Sequence, residues 1–332
     1  MNGSSILKRR EASLALIIVM VMAAVGVRAP IFLAPATQLN VLIDTSILFM
    51  LVLGQTVVLL TRGIDLSVAA NLALTGMIVG LVARAAPGLP IAAVIGLAIA
   101  VGLVLGLING FLVAVVGIPP IVATLGTLAI YRGTIFILDG GAWLTQADMS
   151  KAFLHFPNAT LLGLPHMVWL AIVVSIAMWV FLNFTRRGRM LYAVGGNPVA
   201  ARYCGIDLAR QQLLVYAISG MIAGLCGYLW VSRYGIAYVE LASGYEMTVI
   251  AACVIGGVSF SGGIGTVPGA LLGGLFLGII ANALPVIGVS PFWQMAISGF
   301  VILTAVIVNA RTDKPASKII LSEAKRAAVG PR

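Results

Sequence analysis

The sequence predicts an all-α, polytopic membrane protein with about ten transmembrane helices in two inverted halves of five. Three observations carry that prediction. The chain of 332 residues is 61% hydrophobic and only 9% charged, against about 25% charged in an ordinary soluble domain. Apolar runs of roughly 18 residues or more, long enough to cross a bilayer as a helix, recur along it. Two distant stretches also resemble one another: Gly106-Leu-Ile-Asn109 followed by Gly117 and Pro119-Pro120, and Gly278-Ile-Ile-Ala-Asn282 followed by Gly288 and Pro291. Membrane proteins built from two similar halves are typically transporters, with a path where the halves meet.

The expected spans are 13–29, 39–61, 66–84, 91–116, 119–138, 166–184, 213–231, 247–259, 266–286 and 292–309, the eighth being short. Lys8, Arg9 and Arg10 before the first run could mark a signal peptide. The run lacks a small-x-small cleavage site and more spans follow, so a retained helix is expected. The halves are then 13–138 and 166–309 within a transmembrane domain of 1–310. The stretch 139–165, with Gly140-Gly141 and Pro157, is expected to form short helices and turns. Residues 311–332 form a basic tail without enough large apolar residues to build a core.

Charge fixes an expected orientation. With the N-terminus inside, the cytoplasmic segments hold fifteen Lys and Arg and the outer segments four, with Arg132 inside a span. Both termini are therefore expected on the cytoplasmic side of the membrane. The Asn109 span then runs outside to inside and the Asn282 span the opposite way, which makes the repeat an inverted one. The net charge of +10 is explained by these loops and implies no nucleic acid. Two histidines, and three cysteines without metal spacing, leave little material for a metal site or a disulfide framework.

Polar side chains are costly in hydrocarbon and belong on interior faces. Ser67, Asn71 and Thr75 share one helical face; Thr124, Thr127 and Tyr131 share another; Asp44 and Gln55 are nearly eclipsed on a third. Two readings stand. With Asn282, the residues Gln55, Ser67, Asn71, Thr75, Thr124, Thr127 and Tyr131 could line a hydrated path for an uncharged, hydroxyl-rich solute, or they could bond helix to helix. An ion-coupled secondary transporter would be expected to carry a chain of intramembrane carboxylates. Asp44 and Asp65 lie near span ends and form no such chain. The stripes Gly102, Gly106, Gly110 and Gly274, Gly278 are expected to be packing seams.

The sequence has no phosphate-binding loop, since none of its five lysines follows a glycine. ATP-driven transport would therefore need a separate ATPase and a docking surface for it. The candidate is 185–212. Asn197-Pro198 is a good helix start and Gly205 a good stop, enclosing a short helix of small residues that could enter a partner's cleft.

These blocks resemble the membrane permeases of ABC importers for monosaccharides, of the ribose, xylose, rhamnose and autoinducer-2 type. The blocks are Thr61-Arg-Gly-Ile-Asp65-Leu-Ser67-Val68; Ala123-Thr-Leu-Gly126-Thr-Leu-Ala-Ile-Tyr131-Arg132-Gly133 with Gly140-Gly141-Ala-Trp143; Gly196-Asn-Pro-Val-Ala-Ala-Arg-Tyr-Cys-Gly-Ile206; and Gly244-Tyr-Glu246 through Gly256-Gly257-Val-Ser259 to Gly265. Ala69 departs from the glycine common after Ser-Val. The resemblance implies a vitamin B12 permease-like fold and no covalent chemistry or cofactor in this chain. It implies a cytoplasmic ATPase carrying ATP and Mg, a periplasmic sugar-binding protein, and a second permease copy or paralogue. The ATPase would meet Gly195, Gly196, Asn197, Pro198, Ala200, Ala201, Arg202, Gly205 and Ile206. A branched-chain amino-acid permease is the near alternative.

Overall fold

The computed structural model describes residues 3–290 and 292–312; the expected tail beyond residue 312 lies outside them. The described chain is helical almost throughout: α1 (Gly3–Arg28), α2 (Pro35–Leu60), α3 (Val68–Ala85), α4 (Ile91–Ala114), α5 (Pro120–Asp139), α6 (Lys151–His155), α7 (His166–Phe184), α8 (Arg186–Gly196), α9 (Pro198–Tyr203), α10 (Leu208–Tyr234), α11 (Tyr245–Ile255), α12 (Val267–Val286) and α13 (Phe292–Thr312). Eight of these, α1 to α5, α7, α10 and α12, are long and apolar enough to cross a membrane. The apolar helices α11 and α13 fall where the eighth and tenth spans were expected. At 11 residues α11 rises only about 16 Å, too short to cross alone. It is bounded by Gly244 and Gly257 at φ +79° and +85°, a region that favours glycine.

Helix α10 is the centre of the molecule. It packs on α4, α3 and α2. Where α4 meets it, the two backbones touch. A Cβ on Gly102 would overlap the Gly220 carbonyl and come within 2.6 Å of Gly224 Cα; one on Gly106 would meet the Tyr216 carbonyl and lie 2.9 Å from Gly220 Cα. Small residues at such seams let helices approach in lipid, where apolar burial drives association weakly. The expected Gly102, Gly106, Gly110 stripe is this seam. Its counterpart, Gly274 and Gly278 of α12, sits on Phe49 and Thr45 of α2.

The two seams are related. Exchanging α2 with α10, α3 with α11, α4 with α12 and α5 with α13 carries the pair α4–α10 onto α12–α2. It also carries α3–α10 onto α11–α2, α3–α4 onto α11–α12, and α3–α5 onto α11–α13; all eight pairs are in contact. The exchanged helices α2 and α10 run antiparallel: Gly54 lies beside Ser219, the Ile47 carbonyl beside Cys226 and Asp44 beside Arg233. The halves are therefore inverted. The first helix of each half departs from the pattern, for α1 packs on α12 while α7 packs chiefly on α2.

One end of the bundle carries α8, α9 and the connections 61–67, 115–119 and 256–266. The other carries the expected short elements of 139–165: helix α6 and a hairpin pairing Thr160–Leu161 with Leu164–Pro165. There Leu144 bridges Ala237, and Arg132 donates to the Val239 and Leu241 carbonyls, at 2.6 Å each, fastening α5 to the loop before α11.

The seam makes a sharp prediction. Gly106→Leu should force α4 off α10 and lower the melting temperature in detergent strongly, a cost of at least about 1–3 kcal/mol. Gly126→Leu, where a side chain would meet open space, should change it little. Equal melting temperatures for the two variants would contradict the seam.

Candidate functional site

Helices α8 and α9 form a rigid bracket. Thr185 caps α8 by accepting from Gly188 N (3.0 Å), and Leu191 and Val194 bury its inner face. Tyr192 donates to the Gly265 carbonyl at 2.9 Å, and burial pushes its phenol pKa up. At Gly195 the bracket meets the end of α2: a Cβ there would collide with the Leu60 carbonyl, which itself accepts from Gly263 N at 3.0 Å. Arg62, held at φ +65°, donates through Nε to the Gly195 carbonyl (2.7 Å) and through Nη2 to that of Gly196 (3.0 Å). Three chain segments thus share one knot of backbone.

Helix α9 begins as expected. Asn197 accepts from Ala200 N at 3.0 Å, Pro198 takes the first position, and Gly205 ends the turn at φ +76°. Its outer face is bare: Tyr203 is 89% and Val199 65% exposed, with Gly196, Asn197, Ala200, Arg202 and Gly205 exposed beside them. Ala201 is buried against the protein's own chain, and Ile206 N returns to the Ala201 carbonyl. Among the small residues of this helix, Ala201 is the one that seats it on the bundle. The large exposed side chains Val199 and Tyr203 are the ones offered outward. Sequence reasoning missed Arg62, Tyr192 and Gly263 as the fasteners.

The expected interior residues form a hydrogen-bonded cluster behind this end. Ser67 donates through its backbone N (2.9 Å) and Oγ (2.7 Å) to Asp65 Oδ1, and Ser219 of α10 donates to Oδ2 at 3.3 Å. Asp65 lies in the connection between α2 and α3, where burial raises its carboxyl pKa and these donors oppose the rise. Asn109 of α4 donates to Ser67 Oγ (2.7 Å) and accepts from Thr127 of α5 (2.6 Å). Thr124 donates to the Ile64 carbonyl, Tyr131 to that of Leu105, Asn71 to that of Gly102, and Thr75 to Asn71 Oδ1. Gln55 pairs its amide with both backbone groups of Asp65, at 3.2 Å each. All seven expected residues of this set are buried. Of the two readings left open by the sequence, this geometry is that of helix-to-helix bonding. The cluster leaves Asn282 apart, partly buried at the opposite end of the bundle and facing a cavity.

Residues 37–306 match the family described as branched-chain amino acid transport system, permease component. The chain belongs to this family of membrane permeases. The permease is 36% identical over 307 residues to the ribose import permease protein RbsC of Escherichia coli K12, covering 91% of this chain and 94% of that one. It is 37% identical over 308 residues to the autoinducer 2 import system permease protein LsrC of Enterobacter sp. strain 638, covering 92% and 88%. The LsrC of Salmonella typhi is 35% identical over 302 residues, covering 91% and 86%. The permease is thus a multi-pass inner-membrane transport component.

Asn109 joins three segments, so Asn109→Leu should remove its bonds to Ser67 and Thr127, leave those hydroxyls only Asp65 and the Thr124 carbonyl as partners, and cost about 1–3 kcal/mol. Thermal unfolding in detergent checks this. A melting temperature equal to wild type would mean that the cluster contributes nothing to stability.

Proposed function

We propose that the permease is the membrane subunit of an ATP-driven importer that takes up a monosaccharide or a related small neutral solute. The single observation that carries this reading is the α8–α9 bracket: an exposed short helix fastened to two other segments of the core, the end of α2 and the connection before α12. A surface built to receive a push must be accessible outside and rigid inside. Val199, Arg202 and Tyr203 supply the first; the knot of Arg62, Gly195, Leu60 and Gly263 supplies the second. Motion applied to α9 would pass through that knot into α2 and into the connection leading to α12.

A cytoplasmic ATPase would bind ATP and Mg and press on Gly195, Gly196, Asn197, Pro198, Ala200, Ala201, Arg202, Gly205 and Ile206, directly at the exposed residues and through the seat at the buried ones. The Lys and Arg distribution supports placing α9 and both termini in the cytoplasm. A periplasmic binding protein would deliver the solute to the other end, and a second copy or a paralogue would complete the membrane unit. Relatives named for ribose and autoinducer 2 import support a sugar-like solute, whereas the family's description names branched-chain amino acids. The hydroxyl and amide side chains bordering the cavity at Asn282 favour the sugar. Asp44 and Asp65 lie toward opposite ends of the bundle and form no chain of carboxylates, which speaks against ion-coupled transport.

Tyr203→Ala should reduce ATP-driven uptake by the assembled transporter at least tenfold while leaving the melting temperature within a few degrees of wild type, because Tyr203 supports nothing inside the bundle. Initial rates of radiolabelled ribose uptake measure it. Wild-type uptake in this variant would remove α9 as the docking element.

A further inference from the structure

The two halves treat their matching asparagines differently. Around Asn109, the connection into α3 supplies Ser67 and the first half of α5 supplies Thr127, and both close on the amide. Asn282 holds the corresponding place on α12, at the opposite end of the bundle. There the first residue of α11, Tyr245, and the first turn of α13, Gln294, stand in the roles of those two segments. Among the described residues Asn282 is instead bonded only to its own helix, through Nδ2 to the Gly278 carbonyl at 2.9 Å. A cavity of about 220 Å³ fills the gap, bordered by Asn282, Gln294 and Tyr245.

The chemistry of the cavity is specific. Thr45 is buried, and its Oγ1 has no hydrogen-bond partner, although it lines the space. Asp44 also lines it and is paired with Arg233 at 3.4 Å. Trp230 stands at the rim with its ring 5.0 Å from that of Tyr245 and 5.5 Å from that of Tyr234. Amide and hydroxyl groups beside aromatic rings suit a molecule with hydroxyl edges and an apolar face. The volume is below the roughly 300–1,000 Å³ that drug-sized ligands fill, so the occupant is small.

We propose that this cavity binds a monosaccharide within a single copy of the permease, its hydroxyls completing at Asn282, Gln294 and Thr45 the hydrogen bonds that Ser67 and Thr127 complete at Asn109. The inference rests on the import reading for the class of ligand only. The site lies between the two halves, where α2 of one half meets α12 of the other. A solute received at this end would be held there, away from the closed polar cluster at the α9 end.

The test is equilibrium binding of radiolabelled D-ribose, and separately of L-rhamnose, to purified full-length permease in lipid nanodiscs without ATPase or binding protein. Saturable binding of at least one sugar is expected. Asn282→Leu and Gln294→Leu should each weaken it at least tenfold, about 1.4 kcal/mol, and Ile137→Ala on the exposed face of α5 should not change it. The two variants are independent, so misfolding of one leaves the other to decide. No saturable binding of either sugar, binding at wild-type affinity in both variants, or competition by L-leucine equal to that by the sugar would each overturn the proposal. Sugar uptake by the assembled transporter without binding by the isolated permease would reject this site and leave the import reading standing. Binding without ATP-driven uptake would do the reverse.

Discussion

The structure depends on a contact with no side chains in it. Gly102 and Gly106 of α4 lie against Gly220 and Gly224 of α10, backbone on backbone. In lipid the apolar surface of a helix gains little by turning inward, so close approach and the hydrogen bonds it allows must hold helices together. This seam brings α4 close enough for Asn109 to reach Ser67 and for Asn71 to reach the Gly102 carbonyl. The seam of α12 on α2 repeats the arrangement in inverted form, with Thr45 and Phe49 in place of glycines. That small substitution has a large consequence. The second half packs less tightly at its matching position, and a cavity bordered by Thr45 remains.

The same economy explains how a passive membrane subunit could be driven. The bracket of α8 and α9 has almost no core of its own. It borrows rigidity from the end of α2 and the connection before α12, through carbonyls at Leu60, Gly195 and Gly196 and the guanidinium of Arg62. Glycine at 195 and 263 is required because the three backbones leave no room for a side chain. Surface ion pairs such as Asp207–Arg210 contribute little by comparison, being exposed to solvent. Behind the bracket, the buried Asp65 cluster ties α2, α3, α4, α5 and α10 to one another, so the α9 end is closed by hydrogen bonds while the opposite end keeps its polar cavity.

Much of this was legible in the sequence because it is local. Apolar run length located the eight helices long enough to cross a membrane and the shorter α11 and α13, and the sixth expected span, 166–184, coincides with α7. Asn197-Pro198 and Gly205 announced α9 by capping chemistry alone. Periodic glycines announced both seams. The failures were equally physical. Helix α10 starts at Leu208, not 213, because Asp207 caps it and the polar Arg210, Gln211 and Gln212 continue it outside the apolar run. Helix α8 carries no comparable signal within 185–212, because its support is tertiary. The polar sets admitted two readings because their partners are remote: Asn109 meets Ser67 across 42 residues, and Arg62 meets Gly195 across 133. No periodicity encodes such meetings. Ala201 illustrates the same limit: its size was readable, but the side it faces was not.

The central claim is that the permease supplies the path and the coupling surface while the energy comes from another subunit. The most direct measurement is radiolabelled ribose uptake into proteoliposomes, made with permease alone or with its ATPase and binding protein, each with and without ATP. Accumulation is expected only in the complete assembly with ATP. Concentrative uptake by the permease alone, driven by an ion gradient, would contradict it.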